Sequence, residues 1–240
     1  MSINAYGQPL GLPVAGWSAR EKPARTSLVG QYCRVEPVDV ERHASQLFDS
    51  YALSPDDRDW TYLFTERPTS VVECVAHVEK LAASSDPLHY AILDLVTGHA
   101  TGTAALMRID PAHGVIEIGG ITYSPRLQRT RAGTEAMYLL MRYAFDDLGY
   151  RRYEWKCDSL NAPSMVAAKR YGFVYEGIFR QAVVYKGRNR DTAWFSITNK
   201  EWPRVRAGFE AWLDPANFDG GNAQKRSLVE CRAMAPGSTE

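Results

Sequence analysis

Ser124-Pro-Arg-Leu-Gln128-Arg-Thr-Arg131-Ala-Gly133-Thr-Glu-Ala136 marks a change of period, from an extended apolar run to a helix. The run before it, 115–123, reads as a strand. After it Ala136, Leu140, Ala144 and Leu148, with Met137, Met141 and Phe145 beside them, form one apolar stripe at helical spacing. Gly149 closes that helix, and 152–157 reads as the next strand. A strand–helix–strand unit over 115–157 requires parallel neighbours joined by a right-handed crossover, so the sheet is mixed. The junction itself has a chemical meaning. A helix entry leaves its first N–H groups unpaired and carries a partial positive charge, which suits a pyrophosphate, and Gly133 would let a ligand approach the backbone closely. The same glycine would equally serve tight helix–sheet packing beside solvated arginines. Neither G-x-x-x-x-G-K-[ST] nor G-x-G-x-x-G occurs, so no P-loop or dinucleotide fingerprint competes.

Upstream, 90–96 and 100–109 flank the turn signal Thr97-Gly98, and a turn at 111–114 leads into the strand at 115, giving an antiparallel meander. Before that, 31–38 is extended, Asp39 is placed to cap a helix reaching Tyr51, and Val71, Val72, Val75, Val78 and Leu81 recur at helical spacing within 70–83. Downstream, Asn161 caps a short helix ending at Tyr171-Gly172, and 173–185 with 191–198 form a last hairpin around 186–189. The expected fold is α/β, a mixed β-sheet flanked by helices in a single domain over 29–200. Residues 1–28 read as an arm over that domain or a disordered leader, and 201–240 as a C-terminal helix, despite Pro203, followed by an irregular extension.

Length and charge narrow the function classes. At 240 residues, with 45% hydrophobic and 23% charged, the chain can build a full core without staples, and disordered, collagenous and coiled-coil classes drop out. Its 28 Lys+Arg balance 28 Asp+Glu, so no global field draws it to nucleic acid or anionic lipid. No stretch approaches a membrane span or a secretion signal. Cys33, Cys74, Cys157 and Cys231 stand far apart, which argues against a zinc site or a disulfide framework and for a reduced, cytoplasmic setting. The charges are unevenly placed, with 11 acids against 4 bases over 39–94 and 9 bases against 3 acids over 151–190. They are either solvated faces or regions offered to two differently charged substrates.

Gln128-Arg-Thr-Arg-Ala-Gly133-Thr-Glu-Ala136, then Asn161-Ala-Pro-Ser164, Arg170-Tyr-Gly-Phe-Val-Tyr-Glu-Gly177 and Lys186-Gly-Arg-Asn-Arg-Asp191 together resemble the GNAT N-acetyltransferase superfamily. Within it the sequence is most similar to the branch containing the ribosomal-protein N-terminal acetyltransferases. The resemblance spans 29–200 and follows the element order read above. It implies acetyl-CoA as co-substrate, with its pyrophosphate wrapped by Gln128, Arg129, Thr130, Arg131, Ala132, Gly133 and Thr134. It also implies that the strand 117–123, with Gly120, Ile121 and Tyr123, lies along the pantetheine arm, that Asn161 holds the pantetheine amide, and that Ser164 protonates the leaving thiolate.

Physical chemistry adds to this. Parallel and meander strands that splay at a bulge leave main-chain groups facing a ligand, and Gly119-Gly120 is the candidate bulge, unless the glycines only admit a tightly packed neighbour. With a splay, a free N–H near Ile121 would stabilise the oxyanion. Attack on a thioester needs a neutral amine. An α-amine with a pKa of about 7.7–8.0 needs little help, whereas a lysine near about 10.4 needs a base. Glu117 is the candidate base, the alternative being a solvent-facing strand residue. Trp60, Tyr62 and Arg67 cluster where the resemblance puts the acceptor wall, although aromatics there are more often core. Asp56, Asp57 and Asp59 would steer a cationic acceptor. The histidines show no metal spacing, so no metal is expected.

Three positions depart from the family's pattern. Arg131 stands where the first glycine usually lies, Ala168 where many relatives carry a tyrosine acid, and Val183 where the ribosomal-protein branch can have a glutamate. The expectation is therefore direct acetyl transfer to a primary amine, on a protein N-terminus or a small molecule, by a monomer or homodimer with no nucleic acid or membrane partner. A catalytically silent acyl-CoA sensor is the alternative.

Overall fold

The computed structural model describes residues 2–235. In chain order it runs β1 (Ser2–Ile3), β2 (Pro9–Leu10), β3 (Leu28–Val29), β4 (Cys33–Pro37), α1 (Val40–Tyr51), α2 (Val71–Ala83), β5 (Leu88–Asp94), β6 (Ala100–Asp110), β7 (Val115–Tyr123), α3 (Arg131–Arg142), β8 (Arg152–Asp158), α4 (Ala162–Tyr171), β9 (Val174–Tyr185), β10 (Arg188–Thr198), α5 (Trp202–Leu213) and α6 (Leu228–Met234). Eight strands form one sheet in the order β3-β4-β5-β6-β7-β8-β10-β9. Only β7 and β8 pair in parallel, across the α3 crossover.

α1 to α4 each begin where a side chain satisfies an orphan donor, whereas α5 starts without a side-chain cap. Asp39, Ser70, Thr130 and Asn161 accept the N–H groups of Arg42, Glu73, Gly133 and Ser164 respectively. The polar stretch 126–130 is a turn rather than helix, and α3 starts only at Arg131. Its apolar face then packs on the sheet, with Ala136, Met137 and Leu140 essentially sealed, and the stripe expected to run on to Gly149 continues instead in a π-helical turn, Tyr143–Asp147, where Ala144 is buried. Buried Glu135 ties α3 to the loop before β4, taking the N–H groups of Gln31, Tyr32 and Cys33 at 2.7, 2.6 and 2.8 Å. The β9–β10 turn is two residues long, with Lys186 and Gly187 both left-handed at φ 47° and 68°, the geometry that matches strand twist.

The termini differ from expectation in one respect. The stretch after α5 is not wholly irregular. Ser227 and Glu230 form a reciprocal capping box that starts α6, and α6 packs on α5. The sequence signal was there as Ser-x-x-Glu before Leu228 and Cys231. The arm lies over the domain: Arg25 donates to the carbonyls of Ala82 and Ser84, Ala24 N–H donates to Tyr143, and Trp17 donates to the carbonyl of Ala112.

Candidate functional site

The sheet opens at its centre. The parallel ladder runs from Val115↔Arg152 to Ile118↔Trp155 and stops, although β7 continues to Tyr123 and β8 to Asp158. On the other side of β7, the pairs Thr103↔Thr122 and Ala105↔Gly119 set two steps of β6 against three of β7, which is a bulge. Gly120 sits in it at φ +56°, where a side chain is strained. The bulge bends β7 away from β8, and the cleft so formed is part of a cavity of about 1170 Å³.

At the end of the cleft stands the entry of α3. Its four first-turn amides are not equivalent. Gly133 N–H is taken by Thr130 Oγ1 at 3.0 Å and Thr134 N–H by the Thr130 carbonyl at 3.2 Å. Those of Arg131 and Ala132 have no intrahelical partner, which makes them the spare donors of the first turn, although neither residue lines the cavity. Gly133 is required by packing instead, since a Cβ there would lie 2.5 Å from the Leu127 carbonyl and 3.2 Å from the Tyr123 ring.

A GNAT acetyltransferase domain model matches residues 34–174. The chain belongs to the GNAT acetyltransferase family. A GCN5-related N-acetyltransferase from Brucella melitensis is 47% identical, with a TM-score of 0.90 over 92% of this chain and 100% of that one. The uncharacterized N-acetyltransferase p20 of Bacillus licheniformis is 28% identical over 54% of this chain and 72% of its own. A structure described as a ribosomal-protein-serine acetyltransferase from Vibrio cholerae, 20% identical, shares the fold at a TM-score of 0.62 over 72% of this chain and 97% of that one. This GNAT chain is an acyltransferase, and the family uses acetyl-CoA.

The acetyltransferase places its expected site residues unevenly. Gly120, Ile121, Tyr123, Gln128, Asn161 and Ser164 all border the cavity. Tyr123 faces inward in another sense too, since its hydroxyl donates to the Gly133 carbonyl at 3.0 Å and burial raises its pKa well above the phenol's usual value. Gln128 is a latch: Nε2 donates to the Tyr123 carbonyl at 2.8 Å and to Asp59 at 3.0 Å. Arg129 is exposed in the left-handed region at φ 61°. The Arg131 guanidinium turns to the C-terminal extension, stacking 3.6 Å over Phe218 and donating to Asn222 at 2.6 Å.

Glu117 is buried rather than solvent-facing. Its carboxylate pairs with Lys156 at 2.8 Å and Arg108 at 2.8 Å, and Lys156 also reaches Glu154 at 2.7 Å. Glu117 and Glu154 are direct cross-strand partners, so Lys156 relieves a like-charge pair. Ser164 Oγ accepts the Trp155 indole N–H at 3.0 Å, which leaves its own proton to donate. Asn161 spends its carbonyl on the cap, keeping its NH₂ for another partner. Ala168 is fully buried.

Of the three residues expected on the acceptor wall, only Tyr62 borders the cavity. Trp60 is core, 2% exposed and edge-on to Tyr51 and His77, because the α1–α2 connection needs an apolar plug. Arg67 pins that connection, pairing with Asp57 at 2.7 Å and donating to the Ser54 carbonyl. Much of the basic excess is likewise internal, as in Arg152–Glu154, Arg152–Glu176 and Lys186–Glu66.

Residues the sequence reading passed over also line the cavity: His89, Lys156, Asp158, Arg190, Thr192 and Trp194. His89 lies against the bulge, its Cε1 3.3 Å from where a Gly120 Cβ would be, and burial lowers its pKa to about 4. It is neutral at pH 7. For β10 a signal existed, since polar Arg190, Thr192 and Trp194 alternate along a strand. Among the described residues no cluster of three or more His, Cys, Asp or Glu side chains is placed to hold a metal, and no helix is long and apolar enough to cross a membrane.

Proposed function

We propose that this enzyme transfers the acetyl group of acetyl-CoA directly to a primary amine, with no covalent enzyme intermediate. The observation that carries the reading is the arrested β7–β8 ladder, beside a cavity lined by Tyr123 and Gln128 towards α3 and by Glu117 and Ser164. Acetyl-CoA supplies the activated acyl group. The protein's part is to position it and move protons. The amides of Arg131 and Ala132 hold pyrophosphate oxygens, while β7 from Gly119 to Tyr123 and the Asn161 NH₂ orient the pantetheine amides. The amine nitrogen attacks the thioester carbon and the C–S bond breaks, so one proton leaves nitrogen and one must reach sulfur. Ser164 gives the sulfur its proton. Glu117 accepts the amine's proton through a water, with Arg108 and Lys156 fixing its position.

Thiol release from acetyl-CoA with a panel of primary amines tests this. Turnover on at least one amine is expected. Glu117→Gln should lower kcat about 100-fold and leave the KM for acetyl-CoA within about twofold. Tight acetyl-CoA binding with no thiol released by any amine would instead identify a silent sensor.

A further inference from the structure

The three inward positions of the first half of β10 carry an unusual set of atoms. Arg190, Thr192 and Trp194 all face the cavity, at 8%, 5% and partial exposure. Arg190 Nε, Thr192 Oγ1 and Trp194 Nε1 are each buried with no hydrogen-bond partner among the described residues. One orphaned atom is unremarkable in a native protein. Three along one strand, all hydrogen-bearing and all at one cavity, are a recognition surface short of its acceptor.

Arg190 gives that surface its charge. Its guanidinium lies between rings, 5.3 Å from the centroid of Phe64 and 5.9 Å from that of Tyr185, and forms no ion pair within 4 Å among the described residues. Its cross-strand partner is Val183, which offers no charge. Asp158 is on the same wall but is occupied by the Tyr185 hydroxyl at 2.8 Å and the Leu160 N–H at 2.9 Å. The other Lys and Arg side chains that line the cavity are matched: Arg58 by Asp56, Arg108 by Glu117, and Lys156 by Glu117 and Glu154. A guanidinium that deep in protein is costly unless an anion meets it.

We propose that Arg190, with Thr192 and Trp194, binds a carboxylate carried by the acetyl acceptor, so that the enzyme's substrate is an acidic amine: an amino acid or a peptide whose N-terminal region bears an acid. The inference rests on the acetyl-transfer reading above and narrows it. The planar fork of Arg190 matches a carboxylate's two oxygens. A phosphate dianion fits less well, because it would set two negative charges against one guanidinium beside Asp158. The anion is not the pyrophosphate of the co-substrate, whose amides sit at the end of β7, with β8 between that strand and β10. Phe64, which lies against the cation, and Phe179 and Tyr62, which line the same cavity, supply apolar surface for the acceptor's body.

The test uses matched pairs: free amino acids against their carboxamides, and N-terminal peptides with Asp or Glu against the same peptides with Asn or Gln. Thiol release and direct calorimetric binding are both read, on the wild type, Arg190→Gln and Arg190→Lys. Acids should exceed their amides in kcat/KM and affinity by about 50-fold in the wild type, by about fivefold in Arg190→Lys, and not at all in Arg190→Gln, with acetyl-CoA affinity unchanged throughout. Preference among free amino acids or among peptides tells which source the carboxylate has. Equal handling of acids and amides by the wild type, or a preference that survives in Arg190→Gln, overturns the proposal while thiol release leaves acetyl transfer standing. Arg190-dependent binding of acids without thiol release does the reverse.

Discussion

Single side chains in this enzyme are set by what surrounds them rather than by their type. His89 is an ordinary imidazole by sequence, yet burial beside the Gly120 bulge, with smaller contributions from His77 and Arg25, lowers its pKa to about 4. An unfolded histidine titrates near about 6.5, so between these values the unfolded chain binds more protons than the folded one, and stability falls as pH drops from 6.5 towards 4. The loss attributable to His89 is about 3 kcal/mol across that window. Urea unfolding at pH 7 and pH 4.5 should show a pH slope that flattens in His89→Gln, and an unchanged slope would contradict the burial. His43 and His77 are shifted the same way and remain in both proteins. The sequence could not place His89, since nothing in a strand-edge histidine says what lies opposite it. It offered Glu117 as a candidate from its place on the strand and Ser164 from the resemblance, but not the Arg108–Glu117–Lys156–Glu154 chain, which depends on strands brought together by the fold.

Elements were more legible than residues. The caps at Asp39, Ser70 and Asn161, the strand 115–123 and the crossover all follow from local pattern, and β7 begins and ends where that pattern does. Gly119-Gly120 marked the bulge, and the pair divides the two readings: Gly120 takes the left-handed φ of the bulge, while a Cβ on Gly119 would collide with Met107 Sδ. What local pattern could not divide was the double role of Gly133. Its absent side chain makes room for the Leu127 carbonyl and its N–H is spent on Thr130, while the unpaired first-turn amides are its neighbours'. Gly133→Ala should therefore act on stability first. An added methyl 2.5 Å from a backbone oxygen must push α3 off β7, at a cost of about 1–3 kcal/mol. A thermal melt should fall by roughly 3–10 °C. A variant with the wild-type midpoint and only weaker acetyl-CoA binding would return Gly133 to the ligand.

At the scale of the whole molecule, both termini turn back on the domain. The arm spans from the α2 end to the β6–β7 turn through Arg25, Ala24 and Trp17, and α5, α6 and the segment between them close around α3 and α4. Zero net charge gave no hint of this, because the cations are spent one by one on internal partners rather than gathered into a field. Arg131 shows the consequence. The residue that stands where the resemblance expects a glycine stacks on Phe218 and donates to Asn222, so the C-terminal segment steadies the entry to α3 and engages the guanidinium.

That division of labour can be measured directly. Arg131 is the first residue of α3 and follows Thr130 in an extended conformation at φ −100° and ψ 167°, so proline fits there without breaking the helix. Arg131→Ala removes the guanidinium and keeps the N–H, whereas Arg131→Pro removes both. Calorimetric titration of the two variants with acetyl-CoA should give a Kd about tenfold weaker for Arg131→Pro, the loss of one charge-assisted hydrogen bond, at closely similar melting temperatures. Equal affinity in the two would mean that the entry of α3 does not grip the pyrophosphate, and the site assigned to the β7–β8 cleft would be wrong.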